Sequence, residues 1–322
     1  MEILYNAFYI ILFTTMIGSV FMLLCLFLNR VFHIALPLWS GVLGMALYVV
    51  PVLSPGLFLV SPEEQIWLKG YEMASMVWAC GIVAFVPYSL LRILFARQAI
   101  SGCRPCGEES IGVICARCAA MAGLKRIPEI YFGALDDPAC VVGTLRPKIL
   151  LNREVAAGLT DTQLTAVLGH EIMHIKRGHM VLGKIFACIC VLNWPNPFVW
   201  MAKKEFDVLC EIDCDKHTLK ALRGSIDHKE YAQTMLRLLE QAAAGVSVSG
   251  SRLSVSGFLA AKRRVALIMN RQSARSGIFS KVILAVAVIM VICVSAVVSR
   301  GHFYPYPAYY RGIEYSQSYM PR

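Results

Sequence analysis

The chain has 322 residues, enough for a membrane part and one domain of ordinary size. Hydrophobic residues make up 57% and charged residues 16%, which is too apolar for a soluble protein and points to a bilayer. The formal net charge of +10 would suggest nucleic acid in a soluble protein; with no aromatic-basic repeat to support that, it reads as basic cytoplasmic segments beside anionic lipid, and no direct nucleic-acid binding is expected.

Residues 5–28 carry no charge and are long enough to span a bilayer, for which about 20 residues suffice. They lack a basic leader and a small-residue cleavage site, so they read as a retained helix and not a signal peptide. After a short turn with Arg30, a second span is predicted over 34–55, closed by Pro51 and Pro55. A polar loop with Glu63 and Glu64 leads to a third span over 73–95, with Arg92 and Arg97 at its end. Three transmembrane helices therefore occupy 1–98. Residues 99–280 have the mixed composition of a folded domain, and 281–299 form a fourth span preceded by Arg271 and Arg275. The short tail 300–322 is rich in Tyr and Pro.

Arg30, Arg92, Arg97 and the basic stretch before residue 282 fall on one side if there are four spans, and the positive-inside rule makes that side cytoplasmic. The inserted domain then faces the cytoplasm, and both termini and the Glu63/Glu64 loop face outward. Residues 185–202 are also apolar and uncharged, so hydropathy alone would make them a fifth span. Asn193-Trp194-Pro195-Asn196-Pro197 breaks a helix there, and the stretch is expected to be a buried or re-entrant helix–turn–helix at the membrane surface.

Twelve cysteines are scattered along the chain, with Cys25, Cys80 and Cys293 inside apolar segments, which argues against a disulfide framework. Cys103-x-x-Cys106 and Cys115-x-x-Cys118 form two pairs eight residues apart, shorter than the usual spacing of a structural zinc site. Cys115 and Cys118 also fall on a predicted helix over 111–123, where small buried residues are the leading reading and a second, structural metal the weaker one. Residues 129–132 and 148–151 have the composition of strands.

The chemistry concentrates in Leu168-Gly-His-Glu-Ile-Met-His-Ile-Lys-Arg-Gly-His179. His170 and His174, four apart on a helix, put two imidazoles on one face, where they can grip Zn²⁺, and Glu171 can reach a water on that metal. Thr160 or Asp161 can cap the helix, Leu164, Val167, Leu168, Ile172 and Ile175 form its buried stripe, and Gly178 suits its exit. A catalytic zinc needs a third protein ligand. Glu211 and Asp215, one turn apart, offer a ligand and a partner for the other nitrogen of a ligating His, while Cys210 and Cys214 on the adjacent face are also zinc-binding types. His217 and His179 are both candidate oxyanion donors, and nothing in the sequence selects one.

His170-Glu171-x-x-His174, Asn193-Trp194-x-Asn196-Pro197-x-Val199-Trp200 and Glu211-x-x-Cys214-Asp215 together resemble the BlaR/MecR-type membrane metallopeptidases. The resemblance extends to Pro138-x-x-Val141-x-Gly143-x-Leu145-Arg146-Pro147-x-Ile149-Leu150-Leu151 before the zinc helix, to Leu36-Pro37-Leu38-Trp39 and to Lys262-Arg263-Arg264-Val265. It implies a multi-pass α-helical membrane protein of four transmembrane helices with an inserted α+β zinc metallopeptidase domain of gluzincin type, in a bacterial plasma membrane. The Glu-x-x-x-Asp pattern of gluzincins favours Glu211 as ligand over the cysteines. The implied activity is regulatory proteolysis in signal transduction, by one catalytic Zn²⁺, upon a protein substrate that is the chain itself or a transcriptional repressor. The antibiotic-sensing members carry an extracellular penicillin-binding domain after the last span; this sequence has only 300–322 there and no Ser-x-x-Lys motif outside the membrane, so β-lactam sensing is not expected. A membrane quality-control peptidase of HtpX/Ste24 type shares His-Glu-x-x-His but fits the other segments less well. A non-proteolytic signalling scaffold with a structural metal would have no need of Glu171.

Overall fold

The computed structural model describes residues 72–133, 135 and 137–244, together with 8, 11, 15, 16, 18–25, 38–48, 263–266, 268, 269 and 285. The predicted fourth span, residue 285 apart, and the tail 300–322 lie outside the described residues, as do 26–37 and 49–71. Residues 18–25 are helical, and Leu38–Leu47 form helix α1. Helix α2 runs unbroken over Glu72–Ser101. Its stretch Met73–Leu91 has a mean hydropathy of 1.8 and is largely exposed; among the described residues it is the one helix long and apolar enough to cross a bilayer. Because α2 continues past residue 98, the expected boundary there is a helical junction and not a linker.

Behind α2 the chain builds an α+β unit. Helix α3 (Glu109–Ala122) buries Ile111, Ile114, Cys115, Cys118 and Ala119, a stripe at helical spacing, and ends on Gly123 at φ 67°. Four short strands follow the order β1-β2-β4-β3: β1 Arg104–Pro105, β2 Glu129–Gly133, β3 Ala139–Val142 and β4 Lys148–Asn152. β2 and β4 are parallel, with Ile130 opposite Ile149, and β3 is antiparallel to β4, with Val141 opposite Ile149. β3 is thus an edge strand. Asn152 ends β4 and caps the short helix α4 (Arg153–Ala157) through its side-chain oxygen.

Helix α5 (Asp161–Arg177) starts with a full capping box: Gln163 N–H donates to the Thr160 hydroxyl, and Thr160 N–H donates to the Gln163 side chain. It stops at Gly178, whose φ of 68° excludes most side chains, and α6 (His179–Leu192) leaves from the same glycine. Helix α7 (Pro197–Ala221) returns antiparallel after the turn 193–196, capped by Asn196, and α8 (His228–Ala244) closes over α5. One core joins α3, the sheet, α5 and α8 around Ile149, Leu151, Leu168, Ile172 and Tyr231.

The apolar stretch 185–202 is therefore a helical hairpin formed by α6 and the first turns of α7. A second core packs its Phe186, Ile189, Val199 and Phe206 against Phe21, Met22, Met45 and Tyr48. At the hairpin tip, the Trp78 indole N–H donates to the Leu192 carbonyl (2.8 Å) and the Trp194 indole donates to the Trp78 carbonyl (3.1 Å). The Asn196 amide donates to the hydroxyls of Thr15 and Ser19, both at 2.7 Å. The return of α7 brings it back along α5. The two axes approach at Gly169, where a Cβ would stand 2.7 Å from Leu222 and 3.2 Å from Thr218.

That approach sets the spacing of everything carried by the two helices. Gly169→Val is expected to cost about 1–3 kcal/mol by overpacking, against about 1 kcal/mol for Thr160→Ala at the helix cap. Equal thermal stability of Gly169→Val and the parent in detergent would refute the close contact.

Candidate metal centre

α5 and α7 meet with their functional residues face to face. His170 is buried, and His174 lies one turn beyond it, its ring centroid 5.0 Å away. From α7, Glu211 reaches both. His170 Nε2 is 3.2 Å from Glu211 Oε2, His174 Nε2 is 3.3 Å from Glu211 Oε1, and the two Nε2 atoms are 3.2 Å apart. A tetrahedral ion with bonds of about 2.0–2.1 Å needs donors about 3.3–3.4 Å apart. The two imidazole nitrogens stand near that separation from each other, and each from one oxygen of Glu211, so this set fits zinc.

Asp215, one turn after Glu211, is 2% exposed and organises the side away from the cavity. Its Oδ1 lies 3.1 Å from His170 Nδ1 and accepts the Tyr231 hydroxyl at 2.8 Å. The Arg264 guanidinium donates to both oxygens of Asp215, each at 2.8 Å, and reaches Glu211 Oε2 at 2.9 Å. With Nδ1–H donating to Asp215, the lone pair of His170 Nε2 is left facing Glu211 and His174.

The electrostatics follow. Burial opposes charge on His170, but Asp215 and Glu211 outweigh it and lift the imidazole to about 10. Burial would raise Glu211, and the hydrogen bonds of His170 and His174 instead hold it well below the usual carboxylate range. Asp215 is likewise lowered against its burial, chiefly by Arg264. The two ionised carboxylates favour positive charge at the centre, which without a metal falls on His170.

A cavity of about 410 Å³ opens on this cluster. Glu171 lines it with His170, His174 and Glu211, and the Ala139–Val141 edge of β3 forms the opposite wall. Burial raises the Glu171 carboxyl above its usual range, and His170 and His174 pull part of that back. Cys140 shares the wall, its thiol pushed up to about 12 by burial and by the carboxylate of Glu171.

Other residues singled out from sequence lie elsewhere. His179 is buried behind His174, with Nδ1 3.2 Å from Cys214 Sγ and Nε2 3.3 Å from Asp213. His217 Nδ1 bonds the Asp213 carbonyl within its own helix at 2.8 Å. Neither lines the cavity, so the oxyanion role considered for them has no support in their placement. Cys210 and Cys214 are buried, and Cys214, with His174 and His179, forms a second donor group on the far side. The two Cys-x-x-Cys pairs do not converge into a donor group among the described residues. Cys115 and Cys118 sit in the core of α3 and bond the carbonyls of Pro128 and Thr165, held by packing and the helix period.

Tyr231 and Arg264 are the residues that sequence reasoning passes over. Tyr231 is one aromatic among the buried positions of an amphipathic helix. Arg264 lies in a basic run that reads as the flank of a membrane span. Only contact with Asp215 distinguishes them.

Residues 60–268, well over half of the chain, match the family described as BlaR1 peptidase M56. The regulatory protein BlaR1 of Bacillus licheniformis is 30% identical over 132 residues, 41% of this chain and 22% of that protein. The methicillin resistance mecR1 protein of Staphylococcus aureus (strain Mu50 / ATCC 700699) is 26% identical over 113 residues, 35% of this chain and 19% of that protein. The matched stretch spans only about a fifth of either relative's length. With the two histidines, the glutamate between them and Glu211 assembled around one cavity, and Asp215 behind His170, the chain belongs to the BlaR1 peptidase M56 family of metallopeptidases.

Proposed function

We propose that the chain is a membrane-embedded zinc endopeptidase of regulatory proteolysis, with its active site on the cytoplasmic side. The observation that carries this reading is the triangle of His170, His174 and Glu211 with Glu171 beside it in one cavity. His170, His174 and Glu211 would hold the zinc, with Asp215 orienting His170 as its hydrogen-bonded carboxylate. A zinc held there would supply Lewis acidity, acidifying water toward neutral pH and polarising the scissile carbonyl. Glu171 takes the proton of the attacking water and later hands it to the leaving nitrogen. Its raised carboxyl suits both halves of that task. Arg264 holds Asp215 and Glu211 in place. The substrate lies extended along β3, whose outer edge can add a strand.

The membrane reading rests on four spans, of which α2 is the described example. The tip of the α6–α7 hairpin touches Trp78 of α2 and Thr15 and Ser19, positions well inside the predicted third and first spans. These contacts support reading the hairpin as re-entrant, entering the bilayer from the cytoplasmic side and returning, which would keep Glu211 on the side of His170. The cleaved protein is the chain itself or a repressor-type protein, in keeping with relatives described as a regulatory protein and a resistance protein.

Glu171→Gln should lower self-cleavage or peptide cleavage in nanodiscs about 10²–10⁴-fold while zinc content stays at that of the parent; undiminished cleavage would remove Glu171 from the reaction. Asp215→Asn should weaken zinc binding about 10–100-fold in chelator competition. Glu171 acts ionised and its carboxyl is raised, so with zinc saturating, kcat/KM is full above its pKa and falls as pH drops through it. The midpoint of that acid limb should lie above the ordinary glutamate value of 4.5.

A further inference from the structure

The turn that joins β3 to β4 carries the most exposed apolar side chain described in the protein. Leu145 is 98% exposed. Gly143 makes the turn tight: its φ is 85°, and a Cβ there would stand 2.9 Å from the Arg146 carbonyl oxygen. Leu145 is thus held out by the backbone, flanked by exposed Arg146. A lone exposed leucine is ordinary on a soluble surface. This one sits on a turn whose Thr144 hydroxyl accepts a hydrogen bond from Lys184 of α6 at 2.9 Å.

That bond fixes the depth of the turn. Trp78, bonded to the hairpin tip, precedes Arg92 by 14 residues, or about 21 Å of helix. This span places the tip about 21 Å from the level of Arg92. Lys184 lies eight residues before Leu192, about 12 Å back along α6 toward that level. It stands about 9 Å from the Arg92 level, a gap that a lysine stem narrows by snorkelling. On the same face, Val181, Ile185 and Leu192 are exposed and apolar.

We propose that the β3–β4 turn is a membrane contact: Leu145 enters the acyl boundary of an anionic leaflet while Arg146 and Lys184 meet lipid phosphates. The inference rests on the membrane reading above and adds a second, non-helical point of attachment. Its consequence is positional. β3 runs from the cavity wall at Ala139–Val141 directly into this turn, so the lipid surface would hold the edge strand that flanks the metal centre. Charge complementarity selects anionic lipid, because both polar groups at the turn are cations.

The test is photo-crosslinking of the full chain in nanodiscs containing a photoactivatable phosphatidylglycerol, with adducts mapped by mass spectrometry. Adducts are expected on the α2 peptide and on the peptide spanning 143–148. A Leu145→Asp/Arg146→Glu double variant should lose at least five-fold of the turn adducts and keep those on α2. Adducts on α2 with none on the turn overturn the proposal. Absence of adducts on α2 itself would topple the membrane reading, so the two failures are distinguishable. In phosphatidylcholine discs with a matching photolipid the turn adducts should fall; equal labelling overturns the anionic preference.

Discussion

The carboxylate of Asp215 is the group on which the metal centre depends. An ionised aspartate at 2% exposure is unfavourable unless its oxygens are fully bonded. Here Arg264 takes both oxygens, Tyr231 donates to one, and His170 Nδ1 lies at the same atom. Each partner comes from a different part of the chain: α5, α8 and the segment near residue 264. The carboxylate therefore does two things together. It orients the imidazole so that Nε2 faces Glu211 and His174, and it ties three distant segments to α7. Removing it would leave Glu211 as the carboxylate facing both the Arg264 guanidinium and the His170 imidazole, and His170 Nδ1 without its charged partner.

The network requires α5 and α7 to run close, and the close approach has a local cause. Gly169, immediately before His170, lets Thr218 and Leu222 of α7 sit against the α5 backbone. A heavier residue there would widen the gap across which Glu211 reaches both histidines. The hairpin of α6 and α7 secures the same alignment from the other end, because α7 starts at a tip bonded to α2 and to the helix around Ser19. The metal centre and the apolar helices are thus mechanically continuous: α7 carries Phe206 in one core and packs Leu219 against the other, with Glu211 and Asp215 between them. A displacement of the apolar helices has a rigid path to Glu211, which in the proposed enzyme is a metal ligand.

Much of this was legible in the residues themselves. The capping box at Thr160, the apolar stripe of α5 and its stop at Gly178 are local, and local rules of capping and period place them. His170, Glu171 and His174 share one helix, so their spacing alone brings them together. The strands near 129–132 and 148–151 were also readable from composition, although β3, with only four residues, was not.

What the sequence determined by itself was therefore the set of donors within reach of one helical turn, the candidates Glu211, Asp215, Cys210 and Cys214 on a later helix, and the apolar segments that frame them. What only the tertiary structure decided was which distant groups complete the set. Tyr231 and Arg264 reach Asp215 across 16 and 49 residues, a meeting no periodicity encodes. His179 and His217 went the other way, their rings bonded to Asp213 and Cys214 outside the cavity. The two cysteine pairs had a metal-like pattern but no convergence, since α3 turns Cys115 and Cys118 into the core. The physical reason is common to all of these. Spacing along a chain fixes direction within one element, while convergence between elements depends on how their axes pack, and here that was set by a glycine contact and a buried carboxylate.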